Sequence, residues 1–277
     1  MSAILDDMDS RPGSTTSLLR TVVGLYLRRV GGWISIADLI QLMEQLDVPA
    51  PRTRTAVVRL KKKGLLIPKS VEKVIGYELN PEAAEMLGKG DRRIFSARHM
   101  QPDDAWCVIS FSVPEELRHL RHQLRRHLYW IGCGLVSPAL WICPDFLAGE
   151  VEDILDELQI REHATLFRSE RPRVDGDLRD AVAQWWDLDS LEAMHREFIA
   201  ALTPIVTEEP VDQAVAFARY IRGVDSWRII PYVDPGLPLD LLPTDWPGSE
   251  STRLFEDLSS RYADLAWQHA STVGKPQ

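Results

Sequence analysis

Six lysines and arginines lie in the stretch PAPRTRTAVVRLKKKGLL, which runs from Pro49 to Leu66 and contains no acidic residue. The whole chain has a formal net charge of −9, so this concentration of positive charge is local. Arginine donates paired hydrogen bonds to guanine O6 and N7, threonine contacts base edges or thymine methyl groups, and lysine binds phosphate. These residue types therefore indicate contact with a nucleic acid.

The spacing within this stretch predicts a helix from about Pro51 to Lys63 with two different faces. Thr53, Val57 and Leu60 share the face that we expect to pack against two preceding helices. A basic helix face is often only a solvated surface, but the elements around this helix favour DNA binding. The basic face carries Arg52, Thr55, Arg59 and Lys62.

The neighbouring elements predict a winged helix-turn-helix domain over residues 14–95, which follows a disordered tail at residues 1–13. One helix is expected to begin in the N-cap cluster Ser14–Ser17, and a second at Ser35. In such a domain the third helix enters the DNA major groove, and lysines of the wing contact phosphate. The wing is predicted to consist of two short strands, Leu65–Pro68 and Ile75–Leu79, around a turn with Lys69 and Lys73.

The order of predicted elements changes after residue 95. A strand, a helix, two extended segments, a second helix and a further strand predict a ferredoxin-like α/β sandwich over residues 96–175. Residues 176–277 contain mainly helical patterns and predict a helical domain. The expected fold class is therefore α+β, with several domains.

The charge distribution separates a basic N-terminal region from an acidic remainder. Residues 16–75 hold eleven lysines or arginines and four acidic residues, whereas residues 96–277 hold seventeen and thirty. This asymmetry predicts that a polyanion meets one end of the protein. Because no signal pattern and no membrane-length apolar run is found, we expect a cytoplasmic protein without a membrane partner. Three cysteines without a CxxC pair predict neither a disulfide framework nor a zinc site.

A second basic cluster, LRHLRHQLRRHL, lies in the first helix of the central region. Its arginines favour either an anion site for the phosphates of a nucleotide-like ligand or an exposed face paired with acidic neighbours. His119 and His122 have a spacing that suits a shared metal, but no Asp, Glu or Cys completes a site on that face. No familiar catalytic motif is found, so we expect no catalytic residue, metal or cofactor.

Eight tryptophans lie in the acidic region, from Trp106 to Trp267. Aromatic residues at this density usually belong to a core. Some of them could line a pocket for an aromatic acyl group, although their spacing does not identify which.

Several stretches resemble the PaaX family of bacterial transcriptional regulators, whose best-known member represses phenylacetic acid catabolism. They are LLRTVVGLYLRRVGG, RTRTAVVRLKKKGLL, LRRHLYWIGCGLVSPALWICP and, most specifically, IIPYVDPGLPLDLLPTDWPG. The resemblance implies the three predicted domains and a homodimer that binds a palindromic operator in double-stranded DNA. It places the recognition helix on Arg52, Thr53, Arg54, Thr55, Arg59 and Lys62.

The resemblance further implies a repressor of a catabolic operon that releases its operator when it binds a small-molecule effector. An aromatic acyl-CoA such as phenylacetyl-CoA is the expected effector. The expected DNA-binding residues are Arg52, Thr53, Arg54, Thr55, Arg59, Lys61, Lys62, Lys63, Lys69 and Lys73. The residues expected to bind the effector are Arg118, Arg121, Arg125, Arg126, Arg168, Arg171 and Arg173.

The central region also resembles the small ferredoxin-like nuclease of CRISPR spacer acquisition. In that group an Asp at the end of the first strand is associated with metal-dependent cleavage, whereas this chain has Ser110 and Ser112 there. We therefore expect a protein that is not an enzyme. The alternatives are a metal-dependent nucleic-acid-processing enzyme built on this domain and a ligand-independent activator.

Overall fold

The computed structural model describes residues 10–208 and 212–273, which form two compact units. The terminal unit comprises residues 10–92, 197–208, 212–228 and 250–273, and the central unit comprises residues 93–196 and 229–249. The chain contains both helices and sheets, so the predicted mixed α/β class is confirmed at that level. The predicted boundaries at residues 95 and 175 stay predictions. No helix among the described residues is long and apolar enough to span a membrane.

The N-terminal part of the terminal unit begins with helices whose starts are marked in the sequence. The side-chain oxygen of Ser14 accepts a hydrogen bond from Ser17 N, and that of Ser35 accepts one from Asp38 N at 3.0 Å. Pro49 precedes the third helix, which has another proline in its first turn. The elements are α1 Thr15–Val22, a π-helical turn Val23–Leu27, β1 Trp33–Ser35, α2 Ile36–Glu44, α3 Ala50–Lys62, β2 Leu66–Val71, β3 Val74–Leu79 and α4 Pro81–Phe95.

The three strands form an antiparallel sheet in the order β1-β3-β2. Strands β2 and β3 are joined by Glu72 and Lys73, which both have positive φ angles, as a two-residue type I′ hairpin turn requires. Gly76 of β3 lies so close to β1 that a Cβ atom would be 2.5 Å from both Ile34 O and the Trp33 ring. Glycine at this position therefore permits the pairing of β1 with β3.

The central unit is built on a four-stranded antiparallel sheet in the order β5-β6-β4-β7. Helices α5 and α6 cover one face, where Cys107, Ile109 and Phe111 of β4 belong to an apolar core. Trp106, which precedes Cys107 and points to the opposite face of the sheet, packs into a second core with Trp186. The elements are β4 Trp106–Phe111, α5 Arg118–Trp130, β5 Gly134–Ser137, β6 Leu140–Pro144, α6 Ala148–Glu157, β7 Ala164–Ser169 and α7 Leu178–Trp185.

The remaining helices are α8 Leu188–Thr207, α9 Gln213–Trp227, α10 Ile230–Val233 and α11 Gly248–Val273. In the terminal unit, α9 packs against α1. The ring of Tyr26 stacks with those of Phe217 and Trp267, at centroid distances of 5.7 and 6.1 Å. C-terminal helices therefore complete the core beneath the N-terminal elements.

A buried carboxylate joins α9 to the start of the chain within the terminal unit. Asp225 accepts hydrogen bonds from Gly13 N at 2.7 Å, from Ser17 Oγ at 2.5 Å and from Thr21 Oγ1 at 2.9 Å. Its cationic partner is Arg228, at 3.3 Å. Residues 10–13 of the predicted tail are thus held by contacts, whereas residues 1–9 lie outside the described part of the chain.

Candidate nucleic-acid interface

Helix α3 has one face that is fully buried against α1 and α2. Thr53 is 0% exposed, and Ala56, Val57 and Leu60 are each 1% exposed. The hydroxyl of Thr53 donates a 3.5 Å hydrogen bond to the carbonyl oxygen of Pro49, the residue before α3. Thr53 is therefore a packing residue, and its inclusion among the predicted DNA-contacting side chains is wrong. The periodicity of α3 had placed it on the inner face.

The opposite face of α3 is exposed and strongly cationic. Arg52 and Arg54 lie in its N-terminal half and Lys62 at its end, all exposed. Within the part of the chain that the structure describes, these three side chains have no ion-pair partner. No acidic residue occurs between Asp47 and Glu72 in the sequence. The charge of this face is thus left for a partner from outside the unit.

Three further side chains of α3 make contacts that orient them. Arg59 Nη1 donates to Thr16 Oγ1 of α1 at 3.4 Å while the arginine remains exposed. Lys61 Nζ lies 5.9 Å from the centroid of the Tyr77 ring on β3. Thr55 Oγ1 donates to Pro51 O at 3.0 Å and remains exposed.

Val58 is a residue of this surface that the sequence analysis did not single out. It is 62% exposed, although it is apolar. On the helix surface it lies one turn after Arg54 and one turn before Lys62. The sequence indicates this exposure, because Val58 falls outside the helical spacing of the buried residues and lies between basic residues on the helix surface.

The β2–β3 hairpin presents the two predicted lysines differently. Lys69 forms an ion pair with Glu78 of β3 at 2.6 Å, and its carbonyl oxygen accepts a 3.0 Å hydrogen bond from Trp33 Nε1. Lys73 lies exposed in the tight turn. Val74 and Ile75 beside it are also exposed. Lys63 is partly exposed just after the end of α3.

The arginines of α5 are engaged within the central unit. Arg118 and Arg121 lie 4.0 and 2.9 Å from the carboxylate oxygens of Glu115, and Arg125 donates a hydrogen bond to Pro138 O. The guanidinium of Arg126 lies 5.3 Å from the Trp130 ring centroid.

The other predicted effector-binding arginines lie elsewhere in the central unit. Arg168 of β7 pairs with Asp145 at 2.9 Å, and Arg171 pairs with Asp240 at 2.9 Å. Arg173 is exposed. The assignment of all seven arginines to an effector stays a prediction.

Potential metal ligands do not cluster in the described residues. No group of three or more His, Cys, Asp or Glu side chains there could hold a metal ion. The three cysteines, Cys107, Cys133 and Cys143, are buried in the core beneath α5 and α6. A hydrogen bond with Cys143 and burial raise the pKa of the Cys107 thiol far above its usual value. Burial also raises the pKa of the Cys143 thiol, so Cys107 and Cys143 are neutral core side chains.

Comparisons with known proteins cover nearly the whole chain. Residues 14–83 match the family model described as PaaX-like protein, residues 99–182 match the PaaX protein central Cas2-like domain, and residues 186–272 match the PaaX-like protein C-terminal domain. The transcriptional repressor PaaX of Escherichia coli strain K12 is 27% identical over 272 residues, which cover 95% of this chain and 85% of that protein.

A solved structure shares the fold. The uncharacterized protein Rv0674 from Mycobacterium tuberculosis superposes with a TM-score of 0.54 at 21% identity. The match covers 91% of this chain and 97% of that one.

Proposed function

Because the chain belongs to the PaaX family, we propose that it is a DNA-binding transcriptional repressor. The observation that carries the proposal is the exposed cationic face of α3 in a chain whose net charge is −9. Its E. coli relative is named a transcriptional repressor. We also propose that α1 to α3 and the β2–β3 hairpin form a winged helix-turn-helix, with α3 as the recognition helix. The strand order β5-β6-β4-β7 supports a ferredoxin-like arrangement in the central unit.

In this proposal the cationic face divides into residues that read bases and residues that hold phosphates. Arg52, Thr55 and Arg59 are exposed and contact base edges in the major groove. Val58 adds an apolar surface for a thymine methyl group. The phosphate contacts come from Arg54, Lys61, Lys62, Lys63, Lys69 and Lys73. Each phosphate neutralised steepens the salt dependence of binding by about 0.9 log units per log unit of salt.

Lys69 enters this arrangement with a partner already in place. Its ion pair with Glu78 lies on the exposed hairpin, where such pairs contribute only ~0–1 kcal/mol. Exchange of the carboxylate for a phosphate therefore costs little. Lys73, at the tip of the hairpin, contacts a DNA phosphate directly in this proposal.

We further propose that the protein acts as a homodimer on a palindromic operator of a catabolic operon and is released by an aromatic acyl-CoA. Two recognition helices must lie roughly 34 Å apart, or a multiple of this, to meet successive half-sites. An effector can favour another spacing of these helices. It then weakens DNA binding in proportion to how much more tightly it binds the protein in that spacing than in the DNA-binding spacing. The α5 arginines are candidates for its phosphates.

The proposal is tested by fluorescence anisotropy of the full-length protein on DNA from upstream of its own gene, with random DNA as the competitor. We expect tight, salt-sensitive binding that phenylacetyl-CoA releases and free CoA does not. Binding that phenylacetyl-CoA leaves unchanged would retain the repressor and exclude this effector. Equal affinity for random DNA would contradict the proposed repressor function.

A further inference from the structure

A cavity of about 420 Å³ lies within the central unit, at the β5 edge of its four-stranded sheet. It is lined by the end of α5, by β5 and β6, by α7 with the start of α8, and by α10. Its volume falls within the range of sites that bind small molecules. None of these elements belongs to the proposed winged helix-turn-helix, so the cavity is separate from the surface proposed to bind DNA.

The inner part of the cavity is apolar and aromatic. Cys133, Trp186 and Leu191 line it and are 3%, 6% and 8% exposed. The indole N–H of Trp186 is already bonded, because Nε1 donates a 2.9 Å hydrogen bond to Gly132 O. A ligand group that enters this part meets apolar and aromatic surface. An aromatic ring suits such a surface because rings pack against one another edge to face or offset.

Close packing fixes the aromatic wall before a ligand arrives. A Cβ atom on Gly134 would lie 2.7 Å from the Trp186 ring, so glycine at this position permits the ring to lie directly against β5. The rings of Trp185 and Trp106 contact Trp186 at centroid distances of 6.3 and 6.2 Å. Because this wall does not have to be ordered by the ligand, the entropy that binding costs is lowered.

The exposed part of the lining forms the mouth of the cavity and carries negative charge without positive charge. Tyr129 is 53% exposed, Trp185 is partly exposed, and Asp187 is exposed. The described residues that line the cavity include no Lys, Arg or His. Residues 96–277 as a whole hold seventeen basic and thirty acidic residues. An anionic ligand would therefore meet like charge at the mouth, whereas a cation is attracted to it.

The carboxylate of Asp187 is held at this mouth in its ionised form. Asp187 directly precedes α8, where its Oδ1 accepts a hydrogen bond from Ser190 N at 3.1 Å and its Oδ2 accepts one from Ser190 Oγ at 2.7 Å. Ser190 is also exposed and lines the same cavity. These hydrogen bonds, first that of the hydroxyl and then that of the backbone N–H, lower the pKa of the Asp187 carboxyl group. A carboxylate has about four acceptor positions, so it can accept further hydrogen bonds from a ligand.

We propose that this cavity binds an arylalkyl ammonium ion, with its aromatic ring among the buried side chains and its ammonium group at the mouth. There the Asp187 carboxylate accepts hydrogen bonds from the ammonium group, and the exposed rings of Tyr129 and Trp185 attract its charge. A ligand of this class matches both parts of the lining, whereas an aromatic acid matches only the inner part. The proposal goes beyond the proposed function and does not rest on it.

The test is isothermal titration calorimetry of the full-length protein at neutral pH with three probes of similar size. They are phenethylamine, phenethyl alcohol and phenylacetate, which are a cation, a neutral molecule and an anion. We expect the amine to bind about 3- to 10-fold more tightly than the alcohol, because it adds an exposed ion pair and a cation–π contact. Phenylacetate should bind more weakly than the alcohol. The proposal is overturned if the alcohol or phenylacetate binds at least as tightly as the amine, or if the amine does not bind at millimolar concentration.

A first variant tests the role of the carboxylate. Asp187→Asn removes the charge but keeps an oxygen that caps α8. It should weaken binding of the amine about 2- to 5-fold and leave that of the alcohol unchanged. Asp180→Asn makes the same change at an exposed position of α7 outside the lining and should leave both affinities unchanged. Equal losses for the two variants would mean that the amine is attracted by the acidic surface in general, which would overturn the proposal.

A second pair of variants tests the aromatic side of the mouth. Tyr129→Leu removes the ring and should weaken binding of the amine about 2- to 5-fold, whereas Tyr129→Phe keeps the ring and should bind as the unaltered protein does. If neither Asp187→Asn nor Tyr129→Leu lowers the affinity for the amine, the amine binds elsewhere and the proposal is overturned. These titrations contain no DNA, so their outcome is independent of the measurement that tests the proposed repressor.

Discussion

Helices α3 and α5 are each thirteen residues long and rich in arginine, but the surroundings of their arginines differ. On α5, Arg121 pairs with Glu115, Arg125 donates to a carbonyl oxygen, and Arg126 lies over an indole ring. On α3, Arg52 and Arg54 have no ion-pair partner among the described residues. Composition alone therefore does not distinguish a cationic surface that is available to DNA from one that is largely paired.

The difference arises from the local chain. Helix α5 follows a turn that contains Glu115, whose carboxylate meets Arg118 and Arg121 one and two turns later. The first turn of helix α3 contains no acidic residue, and Asp47, which precedes that helix, is paired with Arg222 at 2.9 Å. Three predictions test this comparison: the first concerns what holds α3 in place, the second the buried side of α5, and the third the exposed sides of both helices.

The largest effect is expected from Asp225→Ala, because Asp225 is 1% exposed and is bonded to α1, on which α3 packs. Its removal leaves Arg228 buried without this carboxylate and should lower the free energy of unfolding of the terminal unit by about 3–5 kcal/mol. Urea denaturation followed by circular dichroism measures the change. The control, Asp264→Ala, alters an exposed carboxylate and should stay within about 0.5 kcal/mol. A loss below about 1 kcal/mol for Asp225→Ala would show that the pair does not hold α1.

The second prediction concerns His127, which is buried on the inner side of α5. Burial, with a smaller contribution from Arg126, lowers its pKa from 6.5 to about 4. Between these values the unfolded chain binds a proton that the folded chain does not. The free energy of unfolding should therefore fall as the pH is lowered from about 6.5 to 4, by roughly 3 kcal/mol from this residue, and the loss should level off below pH 4.

His127→Leu should remove this pH-dependent part of the free energy of unfolding. The difference in urea midpoint between the variant and the unaltered protein, followed across that pH range, measures the change. His122→Leu makes the same change at an exposed position of α5 and should leave the pH profile unchanged. A profile that is equally steep with and without His127 would show that the imidazole is solvated in the folded protein.

The arrangement of α3 could be predicted from the sequence because it depends on spacing. Val57 and Leu60 fall on the buried period and are buried, whereas Arg52 and Arg54 fall outside it and are exposed. The same spacing predicted that Thr53 is buried. Only the resemblance to the PaaX family included Thr53 among the DNA-contacting residues. Residue spacing was the better guide because burial follows the geometry of the helix.

The contacts of the α5 arginines and those between distant tryptophans could not be predicted in this way. Arg125 meets the carbonyl of Pro138 only after β5 and β6 have formed their hairpin. Trp141 and Trp186 are more than forty positions apart in sequence, and they line a common cavity because α7 packs beside β5. The density of tryptophan predicted an aromatic core, whereas the unpaired N–H of Trp141 is a property of the packed structure.

The smallest effect is expected from matched substitutions on the exposed sides, Arg59→Ala on α3 and Arg121→Ala on α5. If Arg59 bonds a guanine through both nitrogens, its loss should weaken operator binding by about 1–3 kcal/mol, or roughly 5- to 150-fold, and affect random DNA less. Arg121 lies in the central unit, outside the proposed winged helix-turn-helix, so Arg121→Ala should leave the DNA affinity unchanged. Anisotropy titrations at two salt concentrations measure both variants.

The outcome of this pair decides what the comparison means. An equal loss on operator and random DNA for Arg59→Ala, with a shallower salt dependence, would make Arg59 a phosphate contact. An equal loss for Arg121→Ala would mean that α5 also meets DNA, and that its ion pairs open when it does. A loss confined to Arg59 and to the operator requires α3 to lie in the major groove, because only base edges carry sequence information to that side chain.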